Sequence, residues 1–265
     1  MVRVEYLTDP ACPEAWALEP ARRRLEHEFA GELSIRWVMA GLWREVRDAQ
    51  AIAVQWLEAA ARSGMPVDVR LWLSDPPRSS YPACMAVCAA AEQGDPGAYL
   101  RRLREGFAVG RRRLDTADAL VCEAAGAGLD AERLRIDLAS HAILERFDAD
   151  LRHARSYGAK DTTPALPTLV FVGEDGAEHV VRGARGYDEL RATAEAAGAS
   201  TLGSDGAQLA VEAALERHGP LATAEIAALC ALPGPRAAAA LWAAATEWRV
   251  RVIGELAGAQ LWARA

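Results

Sequence analysis

The sequence predicts an α/β protein in which a β-α-β opening and a β-β-α return are separated by a long helical stretch. Three observations carry that reading. Residues 2–7 and 34–39 are alternating, β-branched runs on either side of an amphipathic stretch; residues 44–157 show helical periods and no strand pattern; and strand character returns at residues 168–172 and 178–182.

Each element has a local reason. The first strand, 2–7, ends at the turn Thr8-Asp9-Pro10, and a helix follows over 13–29 with Pro13 at its first position, where a missing N–H costs nothing. In the second strand Ile35, Trp37 and Met39 share one parity, and a crossover of this length implies parallel pairing with the first. The helical stretch is punctuated at Gly64-Met-Pro66, Asp75-Pro-Pro77, Gly94-Asp-Pro-Gly97 and residues 126–128. The last two strands join at Gly173-Glu-Asp-Gly176 as a hairpin, and a helix over 187–197 closes the unit.

That order is a thioredoxin fold interrupted in its middle. Residues 1–43 and 158–198 form the thioredoxin-like domain, 44–157 a large all-helical insertion, and 199–206 a Gly- and Ser-rich linker. Residues 207–265 read as a small winged-helix-like C-terminal module. Helical patterns run over 207–218, 223–230 and 235–248, a strand over 249–253, a turn at Gly254 or Gly258, and a second strand over 260–263. A DNA-reading third helix carries several Arg or Lys, but 235–248 has Arg236 alone. Residues 205–265 hold six acidic residues against five arginines, net −1, so the module is expected to pack or bind protein rather than nucleic acid.

Bulk properties narrow the class. The net charge of −7 argues against non-specific nucleic-acid binding. No run approaches the roughly 20 apolar residues of a membrane span. No basic, apolar leader precedes the first strand, so a cytoplasmic protein with no membrane partner is expected. Five cysteines, at 12, 84, 88, 122 and 230, are odd in number and widely spaced, which reads as reduced thiols.

Cys12 carries the chemistry. A cysteine between a strand and a helix sees unsatisfied N–H groups and the positive end of the macrodipole, so its thiolate is expected to be stabilised and its pKa lowered. Three residues on, where a dithiol motif has its second cysteine, stands Ala15, so an ordinary two-cysteine redox cycle cannot run. Pro167, in Leu166-Pro167-Thr168, has two readings: it starts a strand, or it is a cis-proline facing Cys12 beside which an extended client can pair. With Cys12 in register the second is adopted.

The supporting residues each have a plainer alternative. Glu14 either accepts a proton and tunes the sulfur, or simply complements the helix dipole. Trp16 is expected to pack under the site, Asp9 to organise the turn rather than transfer a proton, and the Thr8 and Thr168 hydroxyls to lie near the sulfur. Cys84 and Cys88 share one helix face, so they are either small core residues or resolving partners of Cys12. The core reading is favoured for them and for Cys122 and Cys230, because no His or Asp follows at zinc-ligand spacing; no metal is expected. His141 and His153 read as solvated or satisfied.

Three runs together resemble a known family: Asp9-Pro-Ala-Cys12-Pro13-Glu14-Ala15-Trp16, Ser80-Tyr-Pro-Ala-Cys84-Met-Ala-Val-Cys88, and Leu166-Pro167-Thr168-Leu-Val-Phe171. Residues 1 to about 198 resemble the DsbA-like oxidoreductases in their cytoplasmic, FrnE-like branch. Within it the run from Cys12 to Pro20 is similar to the adaptors that deliver the transcription factor Spx to the ClpXP protease, whose motif has cysteine where this chain has Ala15. The resemblance implies thiol–disulfide oxidoreductase-type activity, run by Cys12 as a monothiol beside Pro167, on a protein or low-molecular-weight thiol. The alternative is a non-catalytic adaptor for an Spx-like factor or a protease component, and a third is a glutathione-dependent transferase or isomerase of the kappa type. No cofactor beyond a small thiol is implied.

Overall fold

Along the first strand Val2, Val4 and Tyr6 turn to one face and Leu7 to the other, and the domain is built outward from that alternation. The computed structural model describes residues 1–201, 209–256 and 259–265. Strand β1 (Val2–Thr8) leads through helix α1 (Pro13–Glu28) to β2 (Leu33–Met39), which pairs with β1 in parallel, Val2 opposite Leu33 and Thr8 opposite Met39. After the insertion, β3 (Thr168–Val172) runs antiparallel to β1 and is followed by β4 (Glu178–Arg182) and α9 (Tyr187–Ala196). The sheet order is β2-β1-β3-β4. Leu18, Leu25 and Phe29 of the α1 segment and Leu190 of α9 cover the face carrying Val4, Tyr6 and Phe171.

The insertion is helical throughout: α2 (Ala49–Ser63), α3 (Arg70–Ser74), α4 (Tyr81–Ala90), α5 (Gly97–Ala108), α6 (Ala117–Gly126), α7 (Ala131–Leu138) and α8 (His141–Ser156). Several starts are capped by the residue type that satisfies an orphan N–H. Asp48 accepts from Ala51 N, Thr116 from Ala119 N, Asp130 from Arg133 N and Ser140 from Ile143 N. α2 stops at Gly64, whose φ of 70° suits glycine. Trp56, Trp72, Phe107 and Phe147 fill the insertion core together with Cys84 and Cys88. α8 covers the other face of the sheet, where Leu7, Val38 and Val170 pack against Ala154.

The C-terminal segment comprises α10 (Val211–His218), β5 (Leu221–Ala222), α11 (Thr223–Leu229), α12 (Pro235–Thr246), β6 (Val250–Leu256) and β7 (Ala259–Arg264). Leu215, Ile226, Leu241 and Trp262 form its own core. Its sheet is antiparallel in the order β5-β7-β6. The two-residue β5 is too short to leave a period in the sequence, and it was not expected. Gly254 lies inside β6 beside a bulge and does not make the turn; Gly258 is outside the described residues, as are residues 202–208 of the expected linker and helix start. Ala199, also assigned to the linker, is buried in the core around Phe29. No helix among the described residues is long and apolar enough to cross a membrane.

Candidate functional site

The loop from Thr8 to Cys12 is a small polar scaffold built around Asp9. Its carboxylate, fully buried, accepts from Ala11 N at 2.7 Å, Leu42 N at 2.6 Å, the Ser80 hydroxyl at 2.6 Å and the Cys84 thiol at 3.3 Å. Burial raises the Asp9 pKa, and the hydrogen bonds from Ser80, Leu42 and Ala11 oppose that rise. Asp9 therefore organises the turn, as its place in the sequence suggests. Ser80, which ties the turn to the insertion, was not anticipated.

Cys12 sits at the residue before α1, with φ −75° and ψ 117°, and its own N–H donates to the Asp9 carbonyl at 3.2 Å. Pro13 takes the first helical position. The sulfur-bearing side chain is 2% exposed and packs with Leu7, Ala15, Val38, Ala40, Leu166 and Val170. Burial pushes its thiol up to about 12, while the Ala15 and Glu14 amides and the Arg104 guanidinium pull down and Asp9 pushes further up. The expectation of a lowered pKa is thus reversed. A helix terminus contributes on the order of 1 kcal/mol, under one pH unit, whereas full desolvation moves a group by up to about 3–5 units. The side chain also makes no capping hydrogen bond.

The Leu166–Pro167 peptide bond is cis, as adopted from the sequence. Leu166 belongs to the apolar cluster that holds Cys12, and the Pro167 carbonyl accepts from Gly183 N at 2.7 Å. The Thr168 hydroxyl donates to Ala165 O at 2.7 Å and so serves the loop. The Thr8 hydroxyl is likewise engaged, accepting from Arg104 Nη2 at 2.6 Å. Ala15, fully buried, occupies the second-cysteine position with a methyl group.

Trp16 is buried as expected, its indole N–H donating to Pro66 O at 3.0 Å and the Arg101 guanidinium lying 4.4 Å over its ring. Glu14 is only part-buried and is ion-paired with Arg62 of α2. Cys84 and Cys88 face Asp9 and Asp150 from the insertion core, with their thiols raised by burial, and Cys12, Cys84, Cys88 and Cys122 are in no disulfide. Cys122, expected in the core, is instead exposed on α6, between the buried Val121 and Glu123. His153 is satisfied by Glu5, 2.6 Å from its Nε2. Among the described residues no group of His, Cys, Asp and Glu could hold a metal ion.

A feature that sequence reasoning missed lies beneath α1. Glu19, fully buried, is bonded by Arg22 at 2.7 Å, Arg104 at 2.6 Å and Arg101 at 3.2 Å. Glu225 of α11, also fully buried, takes Arg23 at 2.7 Å and Arg101 at 2.8 and 2.9 Å. Burial works against the charged form of Glu19, yet the guanidiniums of Arg22, Arg101, Arg104 and Arg23 hold its carboxyl well below the usual range. The network joins the helix that carries Cys12 to the insertion and to the C-terminal segment.

The profile of a thioredoxin family matches residues 6–192. The chain belongs to this thioredoxin family. Among its relatives, this thioredoxin-family chain is 29% identical over 186 residues to the ClpXP adapter protein SpxH of Halalkalibacterium halodurans, covering 66% of this chain and 60% of that one. It is also 29% identical to SpxH of Bacillus subtilis over 177 residues, covering 64% and 58%. The chain thus spans about six tenths of the length of these curated relatives. Among solved structures it is similar to the cytosolic disulfide reductase DsbM from Pseudomonas aeruginosa, with a TM-score of 0.60 and 24% identity over 73% of this chain and 97% of that one. That likeness reflects the shared fold.

Proposed function

We propose that this chain is a cytoplasmic, DsbA-like protein of the thiol–disulfide oxidoreductase type, whose Cys12 works as a single thiol on a protein or low-molecular-weight disulfide. The observation that carries the reading is the position of Cys12, at the start of α1 and in one apolar cluster with Leu166 of the cis-Pro167 loop. In the forward step the Cys12 thiolate attacks one sulfur of a disulfide; a new S–S bond forms, the old one breaks, and the departing thiolate takes up a proton. A second thiolate from outside then attacks the mixed disulfide and returns Cys12 to its thiol, since Ala15 supplies no internal one. Asp9 and Pro13 hold the sulfur in place, Trp16 supports the helix, and Pro167 with Thr168 shapes the edge at which a client lies. Because the thiol is buried and favours its protonated form, exchange requires the client to uncover it.

A second reading is favoured by the SpxH relatives and by the closed thiol: an adaptor that binds a protein client, such as an Spx-like factor or a protease component, with no use of the sulfur. The winged-helix-like C-terminal module then adds binding surface. Incubation with glutathione disulfide, followed by intact-mass and peptide mass spectrometry, separates the two. A glutathione adduct on Cys12 that added thiol removes supports exchange. No adduct on Cys12, with client capture equal for wild type and Cys12→Ser, leaves the adaptor.

A further inference from the structure

Arg104 is almost fully buried, 1% exposed, and it lies on α5 in the insertion, far in sequence from the cysteine loop. Its Nη1 donates to Glu19 Oε1 and its Nη2 to Thr8 Oγ1, both at 2.6 Å, and its guanidinium sits 5.4 Å over the Tyr6 ring. Thr8 is the last residue of the strand that enters the Cys12 loop, and Glu19 is on the helix that leaves it. One side chain therefore braces both ends of that loop.

Its charge is only partly matched. Glu19 is shared with Arg22 and Arg101, the second Nη of Arg104 meets a neutral hydroxyl, and its buried Nε has no acceptor among the described residues. Other charged or titratable groups near the sulfur are Asp9 in the loop, Tyr6 on β1 and Glu14, which is paired with Arg62 from α2, while Tyr157 packs against the apolar cluster that holds Cys12. Asp9 opposes a thiolate and Arg104 favours it.

The geometry points to Arg104 as a positioning residue for Cys12: it ties Thr8 to Glu19 across the sulfur-bearing loop and supplies the buried positive charge on which a thiolate there depends. This assignment deepens the exchange reading, in which Cys12 must pass through a thiolate. Arg104 itself touches neither sulfur partner and is not a catalytic residue.

The test is the rate of Cys12 alkylation by iodoacetamide in the full chain, scored by peptide mass spectrometry at several mildly alkaline pH values. Arg104→Met slows labelling about tenfold at each pH, the loss expected for a single buried charge, while Arg104→Lys stays within about twofold of wild type. A merely structural Arg104 gives the opposite sign, because a loosened loop exposes the sulfur and speeds labelling. Labelling of Arg104→Met as fast as wild type, or equal slowing of the Met and Lys variants, overturns the assignment. Should Arg104→Met not fold, Arg104→Gln replaces it as the variant that removes the charge while keeping an amide donor; slowing supports the assignment, and an unchanged or faster rate overturns it. Wild type that alkylates but retains no glutathione loses the exchange reading alone. Wild type that retains glutathione, with Arg104 variants indistinguishable from it, loses the Arg104 assignment alone.

Discussion

Arg101 grips Glu225 with both terminal nitrogens, at 2.8 and 2.9 Å, in a fork that joins the helical insertion to the C-terminal segment across 124 residues of sequence. Glu225 is fully buried and Arg101 nearly so, so the pair behaves as an interior contact rather than a surface one. Because Arg101 also lies over Trp16 and bonds Glu19, the C-terminal segment is coupled to the helix that presents Cys12.

Removing one side of that network leaves charges buried without a partner. Glu225→Ala strips acceptors from Arg23, Arg101 and Ala222 N at once. The expected loss is about 3–5 kcal/mol, read from urea unfolding against wild type. By contrast Glu14→Gln, at a part-exposed ion pair with Arg62, should change stability by less than about 1 kcal/mol in the same experiment.

Alkaline pH should destabilise the fold through its buried thiols. Cys12 holds its proton up to about 12 in the folded chain, against an ordinary value of 9.0. Below pH 9 both states keep the proton and nothing changes. Between pH 9 and 12 the unfolded chain releases a proton that the folded chain retains, so stability falls as pH rises, by about 1.4 kcal/mol per pH unit for each such thiol. Urea melts of wild type and Cys12→Ala at rising pH check this, and the variant should show the shallower decline.

Asp9 is predicted to be intolerant of its amide. The carboxylate accepts four hydrogen bonds, two from backbone N–H groups, and an asparagine nitrogen would face donors with a donor. Asp9→Asn should cost about 2 kcal/mol or more, while Ser80→Ala, which removes one of the four donors, should cost about 1 kcal/mol. Thermal unfolding of the two variants tests the order.

Ala15→Cys should convert the response to glutathione disulfide. In wild type the adduct on Cys12 persists until outside thiol arrives. In the variant the introduced thiolate attacks the Cys12 sulfur and expels glutathione as an internal disulfide forms. Intact mass after oxidation distinguishes the two outcomes. The fully buried position makes the larger side chain cost about 1–3 kcal/mol in the reduced state.

What was legible in the sequence is what depends on neighbours along the chain. Period-two alternation marked β1 and β2, strand-forming runs marked β3 and β4, and Pro13 marked the start of α1, each within a residue of its observed ends, while helical period and punctuation marked the insertion. Cys12, Ala15 and Pro167 were found as deviations from a local pattern. β5 was missed because two residues carry no period. Arg101, Arg104 and Glu19 were passed over because an arginine-rich helix reads as solvated until something covers it.

Only the tertiary structure decided the state of the sulfur and the fate of those charges. The helix start next to Cys12 is a local feature and argues for a low thiol pKa. Leu7, Val38, Leu166 and Val170 arrive from three different strands and a loop to exclude water, and desolvation outweighs the dipole. In the same way Glu19 and Glu225 become buried acceptors for four arginines only when α1, α5 and α11 meet. Burial is a property of packing, and packing joins residues that the chain holds far apart.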